Sequence, residues 1–165
     1  MKLKTLSFLL LIFFFKTSSA QSDTFKILLG ENDTTITQYY NSLINLFPDN
    51  NYLKIEKDID NNGNKILKLK LPTIRYGKVG ISTIFSRFLR LDNGREICTQ
   101  QFFICDNSSM NDYLSYVKDN YKSEGLNKWS KSLNEGLKII AEFKRGEGEL
   151  SSISFLIKEK TKIEQ

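Results

Sequence analysis

The chain has 165 residues, with 24 lysines and arginines against 19 aspartates and glutamates, and it contains no histidine. The missing histidine excludes Ser-His and Cys-His nucleophiles and removes the commonest ligand of catalytic metals. With 40% apolar and 26% charged residues, the composition is that of a globular protein and not of a disordered one.

The first twenty residues are typical of a secretory signal peptide. Two lysines precede an apolar run at Leu6–Phe15, and small residues follow at Thr17–Ala20. This layout predicts cleavage between Ala20 and Gln21. The apolar run is about half the length that a membrane-spanning helix needs. We therefore predict an exported protein, periplasmic or extracellular, without a transmembrane anchor.

The leader also carries much of the positive charge. Its three lysines account for the difference between +5 for the whole chain and +2 for residues 21–165. A nucleic-acid-binding domain would show a strongly basic face or stripe, so we expect no nucleic-acid partner. The remaining length suits a single α+β domain with its own core.

The first half of this domain predicts an initial strand at Phe25–Leu29, a helix and a hairpin. Apolar residues at helical spacing from Ile36 predict the helix, with a capping box of Thr35 and Gln38 at its start. Alternation of apolar and charged residues then predicts a hairpin around the turn at Asp60–Asn64.

A second hairpin is predicted around Asp92–Gly94. A three-residue loop with a left-handed glycine pairs Arg90 with Glu96 and Leu89 with Ile97. A two-residue loop would instead set Arg90 against Ile97. Because matched cross-strand pairs stabilise a sheet, the sequence favours the three-residue loop.

The second half predicts another helix and another hairpin. The helix is expected to begin at Ser109, with Asp112 in its first turn and Gly125 as a left-handed cap beyond its end. The segment Leu126–Leu133 favours a short strand. Alternating segments on both sides of Gly146–Gly148 predict the last hairpin.

Together these elements predict an α+β fold, in which a curved antiparallel sheet of consecutive hairpins packs against two amphipathic helices. A cystatin-like or NTF2-like topology suits the order of elements. A repeat of helix plus hairpin, over residues 34–71 and 109–158, suits it as well. No motif in the sequence identifies a family.

The segment Pro72–Gly80 contains one proline and two glycines, which predicts a loop. Arg75, Tyr76 and Lys78 lie in it and Arg87 lies on the strand that follows, so basic and aromatic residues interleave, as they do at sites for anionic ligands. A solvated sheet face accounts for the same residues. Since functional residues concentrate on loops held by a rigid scaffold, we predict that these four residues bind the ligand or partner.

An acidic motif at Asp58–Gly63 matches the opening of a calcium-binding loop. The twelfth position of such a loop should be a glutamate that binds through both oxygens, and here it is Leu69. Asparagine and aspartate are also the residues that close tight turns. We therefore predict a hairpin turn there, and no metal or cofactor.

Cys98 and Cys105 fall in one predicted strand. Seven residues of extended chain span about 23 Å, whereas a disulfide joins Cα atoms about 5–6 Å apart. An exported chain favours a bridge, but the strand geometry predicts two free thiols.

These features favour a non-enzymatic binding or interaction module for an unidentified protein or small ligand. The alternatives are a histidine-free hydrolase that works through carboxylates such as Glu56, Asp58 and Asp60, and a carrier of an apolar ligand. A pocket with paired carboxylates would favour the hydrolase, and an apolar cavity between sheet and helices the carrier. A sheet face with exposed aromatic residues would favour the binding module.

Protein recovered from the exported fraction of its native host is expected to begin at Gln21, because Ser18 and Ala20 fit the small-residue positions of the cleavage site. Intact mass spectrometry measures this directly. The variant Ala20→Asp, which removes the small residue before the bond, should accumulate with its leader attached. Exported wild-type protein that retains Met1–Ala20 would contradict the prediction.

Overall fold

The computed structural model describes residues 26–47, 53–75, 78–146 and 150–160, so the predicted leader lies outside the described residues. In chain order the elements are α1 (Asp33–Ile44), β1 (Ile55–Ile59), β2 (Lys65–Arg75), β3 (Lys78–Arg90), β4 (Glu96–Asp106), α2 (Asn107–Asn120), β5 (Lys122–Gly125), β6 (Lys128–Ser132), β7 (Leu137–Arg145) and β8 (Leu150–Glu159). No helix in these ranges is long and apolar enough to cross a membrane.

All eight strands form one antiparallel sheet in the order β1-β2-β3-β4-β8-β7-β6-β5. The predicted α+β fold, with a sheet of consecutive hairpins and two helices, is therefore confirmed. Each helix precedes a four-stranded meander, so the unit of one helix and four strands occurs twice. The predicted repeat is present, but with four strands in each unit instead of two. The two units meet where β4 pairs with β8.

Both helices pack against the same face of the sheet. In α1, Tyr40 is buried and shares a hydrogen bond of 2.8 Å with Ser86 of β3. In α2, the ring of Tyr113 lies 5.7 Å from that of Phe103 of β4. Ser86 and Phe103 point to one side of the sheet, since Ser86 stands opposite Gln101, two residues before Phe103. The core lies on that side.

The predicted register of the second hairpin is confirmed. Arg90 stands opposite Glu96 and Leu89 opposite Ile97, and Gly94 has a φ of 79°. A bulge then follows, because Phe88 pairs with Cys98 whereas Arg87 pairs with Gln100. Because of the extra residue on β4, the core-facing side chains change from even-numbered residues such as Cys98 to odd-numbered ones such as Gln101 and Phe103.

The bulge places a hydrogen-bonded polar cluster inside the core. The Gln101 side chain donates to Ser86 Oγ (3.1 Å) and accepts from the backbone N–H of Leu28 (2.6 Å), and Ser86 also bonds to Tyr40. Gln101, Ser86 and Tyr40 are wholly buried. The burial of the Tyr40 hydroxyl raises its pKa. Buried polar groups are tolerated when they are paired in this way.

The same region anchors the start of the described chain. The predicted strand at Phe25–Leu29 is absent from its described part, residues 26–29. Instead, the N–H of Gly30 donates to the Cys98 carbonyl and the N–H of Cys98 donates to the Glu31 carbonyl, both at 2.8 Å. Two backbone bonds and the Gln101 side chain therefore hold this segment beside β4.

The helix starts differ from the prediction. Asn32 caps α1 by accepting from the N–H of Thr35 at 2.9 Å, so the capping box of Thr35 and Gln38 is wrong. Asp106 caps α2 by accepting from the N–H of Ser109 at 2.9 Å, and the helix begins at Asn107 instead of Ser109. In both helices the capping residue is a short polar one, and its side-chain oxygen accepts from the free N–H of the residue three positions later, in the first turn.

The predicted cap at Gly125 is also wrong. The helix α2 ends at Asn120, and Tyr121 is already extended with a φ of −128°. Gly125 belongs to the edge strand β5, where it has a φ of 136° beside a bulge. The sequence did not predict β5, because all four of its residues are exposed and show no apolar alternation. The short strand predicted within Leu126–Leu133 is confirmed as β6.

Cys98 and Cys105 are both buried and unbridged, as the strand geometry predicted. Burial raises the pKa of the Cys98 thiol to about 12. A thiol held protonated in this way reacts slowly, because the thiolate is the nucleophile.

Replacing Gln101 with Ala should lower the free energy of unfolding by about 2–3 kcal/mol, because it leaves the Leu28 N–H without its acceptor and opens a cavity. The matched control is Gln100→Ala, the neighbouring glutamine on the other face of the strand, which should change the stability by within about 0.5 kcal/mol. Urea denaturation of the domain lacking the leader measures both values. Equal losses in the two variants would show that the buried cluster contributes nothing specific.

Candidate binding surface

The predicted loop at Pro72–Gly80 is mostly strand. Pro72 stands opposite Ile81 and Arg75 opposite Lys78, so β2 and β3 continue almost to their connection. Among the described residues the pairing of β1 with β2 ends at Leu69, before Pro72, and a proline is tolerated in a strand where its missing N–H is not needed for pairing. The loop prediction is therefore wrong.

Three of the four predicted site residues are described by the structure, and they do not all come together. Arg75 and Lys78 are cross-strand neighbours at one end of the hairpin, and Tyr76 lies outside the described residues. Arg87 is about nine residues further along β3, or roughly 30 Å of extended chain. Its guanidinium lies 2.5 Å from the Asp60 carboxylate, so it holds the turn of the first hairpin.

The acidic motif at Asp58–Gly63 forms the hairpin turn that the sequence predicts. Asp60 Oδ1 accepts from the N–H groups of Asn62 (2.8 Å) and Asn64 (2.9 Å), and Gly63 has a φ of 78°. Desolvation raises the pKa of Asp60, but these hydrogen bonds and the charge of Arg87 outweigh it and lower the pKa. The prediction of a hairpin turn is confirmed.

Glu56, one of the carboxylates proposed for a hydrolase, does not have the surroundings of a general acid. Glu56 lies 3.2 Å from the Lys68 ammonium and 3.7 Å from that of Lys70. The hydrogen bond from Lys68 lowers the pKa of Glu56. A general acid needs the opposite shift, so this carboxylate is suited to an ion pair.

The face of the sheet opposite the helices is called the open face here. Within the described residues neither helix covers it, since both pack on the other side. One row across it shows its composition: Lys68 stands opposite Phe85, Phe85 opposite Phe102, and Phe102 opposite Ser154. Facing pairs share one side of a sheet.

Five apolar side chains form the middle of the open face, the apolar centre. They come from β3, β4, β8 and β7, and they are Phe85, Phe102, Ile104, Leu156 and Ile140. Leu156 faces Ile140 directly, and it is the diagonal neighbour of Phe102, because it stands opposite Gln100, two residues before Phe102. Ile140 is only 5% exposed, although no described helix covers it. The other four are half-buried.

The basic rim is a set of five cationic side chains around the apolar centre: Lys68, Arg87, Lys138, Lys144 and Lys158. One exposed carboxylate, Glu142, lies on the same face, opposite Ser154 and two residues from Ile140 and from Lys144. The Lys68 ammonium lies 5.5 Å from the centre of the Phe85 ring, a cation–π distance. Lys138 and Lys158 stand directly opposite each other on β7 and β8. Like charges at facing positions destabilise a sheet.

Sequence reasoning missed this surface because it treated each apolar residue in a strand as part of one core. The signal was the run Phe102-Phe103-Ile104, together with Ile139-Ile140-Ala141. A strand with apolar residues on both faces is expected to be covered on both faces. Here Phe103 and Ala141 are in the core, whereas Phe102 and Ile140 are on the open face.

No known protein family, curated protein or solved structure matches the chain.

Replacing Asp60 with Ala should lower the melting temperature, because the turn loses the acceptor of two backbone N–H groups and the partner of Arg87. Millimolar calcium should leave the wild-type melting temperature unchanged, since a ligand stabilises only the state that binds it. The control is Asp58→Ala, whose carboxylate accepts from one backbone N–H of the described residues, that of Ile59, and should matter less. A calcium-dependent rise in the wild type that Asp60→Ala abolishes would contradict the turn interpretation.

Proposed function

We propose that the protein is an exported, non-enzymatic binding module and that the open face is its contact surface. The observation that carries this proposal is the apolar centre, which lies on a sheet face that no described helix covers. An apolar patch rimmed by polar groups is the usual anatomy of a protein–protein contact.

The distribution of side chains supports this proposal over the hydrolase. General-acid catalysis by a carboxylate needs a group whose pKa is raised towards neutral pH by burial or by a second carboxylate. Glu56 has the reverse, a lowered pKa beside two lysines. The Asp60 carboxylate accepts two backbone N–H groups of its turn and forms an ion pair with Arg87.

The packing of the core supports it over the carrier of an apolar ligand. The rings of Phe103 and Phe155 lie 5.8 Å apart edge to face, and Tyr121 lies 6.0 Å from Phe155. With Tyr113 beside Phe103, aromatic side chains fill the layer between α2 and the sheet. An apolar ligand would have to displace them.

Introducing a photo-crosslinking phenylalanine analogue at position 102 in the native host should yield a discrete adduct, because this position lies in the apolar centre. The control position is Leu126, an apolar residue that is 93% exposed at the β5–β6 turn and lies outside that centre. The adduct is identified by mass spectrometry, and the partner is then purified for titration.

In that titration Phe85→Ser should weaken binding by at least about tenfold, since a few central aromatic residues carry most of the energy of an interface. Leu126→Ser should leave the affinity unchanged. Circular dichroism checks that both variants fold. Equal crosslinking at both positions, or an unchanged affinity in a folded Phe85→Ser variant, would overturn the proposal.

A further inference from the structure

We infer that the partner of the open face is an acidic protein segment, with an apolar side chain seated on the apolar centre and carboxylates against the basic rim. This inference rests on the proposed function of the open face. It adds the chemistry of the partner, which the proposed function leaves undefined.

Three of the five rim cations already have carboxylate partners. Lys68 pairs with Glu56, Arg87 with Asp60, and Lys138 with Glu124 at 3.2 Å. Lys144 and Lys158 are exposed, and no carboxylate of the described residues forms an ion pair with either. Glu142 on β7 is also exposed and forms no ion pair with a described residue. On β7 and β8 the open face therefore has two unpaired lysines against one unpaired carboxylate, an excess of one positive charge.

Lys158 is placed at a position that the sheet itself disfavours. It stands directly opposite Lys138, and facing like charges repel. An acidic group of a partner would relieve this repulsion on binding. Electrostatic complementarity of this kind selects the partner and raises the association rate.

The same lysines argue against a second copy of this chain as the occupant. Two open faces placed together would bring one basic rim against another, and like-charged juxtaposition disfavours an interface. A nucleic acid or an acidic polysaccharide could neutralise Lys144 and Lys158. Neither would match the aliphatic Ile104, Ile140 and Leu156 at the centre as apolar protein side chains do.

The spacing along the strands gives the expected pattern of the partner. Lys158 is two residues from Leu156 on β8, about 7 Å, and Lys144 is four residues from Ile140 on β7, about 13 Å. In an extended segment, residues two and four apart point to the same side at these spacings. The matching segment has an apolar residue, a carboxylate two residues away on one side and a carboxylate four residues away on the other.

A displayed library of random peptides, selected against the domain without its leader, tests this inference. We expect the enriched peptides to be acidic and to contain an apolar residue flanked by aspartate or glutamate. The double variant Lys144→Glu with Lys158→Glu should bind them about tenfold more weakly, as expected for the loss and reversal of two exposed charges.

The matched control is Lys57→Glu with Lys118→Glu, which makes the same change in net charge. Both lysines are exposed, and they lie on the helix side of the sheet, on β1 and α2. This variant should bind the selected peptides as the wild type does at moderate salt, because charges further apart than about 10 Å are largely screened.

The outcomes separate the inference from the proposed function. Enriched peptides that lose affinity for Phe85→Ser but are neutral or basic would overturn the acidic partner and leave the binding face in place. Enriched peptides that bind Phe85→Ser as tightly as the wild type would overturn both. Acidic peptides that bind equally to the two double variants would show only a general attraction to a basic protein and would also overturn the inference.

Discussion

The pairing of β4 with β8 joins the two units of one helix and four strands. It runs over seven residue pairs, from Gln100 opposite Leu156 to Asp106 opposite Leu150. The strands are separated in the chain by α2 and three further strands, so this contact is long-range and forms one continuous sheet out of two meanders. The core and the open face both depend on it.

The apolar centre lies across this joint. Phe85, Phe102 and Ile104 belong to the first unit, whereas Leu156 and Ile140 belong to the second. Either unit alone would present only part of the patch at the edge of a sheet. Because the basic rim also takes cations from both units, the proposed contact surface exists only when the two halves are joined.

The bulge on β4 decides which residues reach that surface. Without the extra residue, Gln100 and Phe102 would face the helices, and Gln101 and Phe103 would face outwards, because a shift of one residue exchanges the two faces of a strand. With it, Gln101 enters the buried cluster and Phe102 is left on the open face. Gln101, whose side chain binds the backbone N–H of Leu28, and Phe102, which is proposed to contact a partner, are thus assigned to their faces by one residue of register.

The features that the sequence determined by itself are those governed by neighbours along the chain. Turn residues and cross-strand matching predicted the register at Arg90 and Glu96, and the spacing of Cys98 and Cys105 in one strand predicted two free thiols. The α+β class followed from periodicity alone. The turn at Asp60 was also predicted, because an aspartate side chain closes such a turn by accepting from backbone N–H groups that follow it in the chain.

The tertiary structure decided what depends on contacts between distant residues. Periodicity shows that Phe102 and Phe103 lie on opposite faces, but the face that the helices cover is settled by the bulge and by packing against Tyr40 and Tyr113. The pairing of β4 with β8 leaves no local pattern in the sequence, since its partners lie about fifty residues apart. The open face is therefore a property of the assembled sheet, because its apolar centre consists of side chains that only the fold brings together.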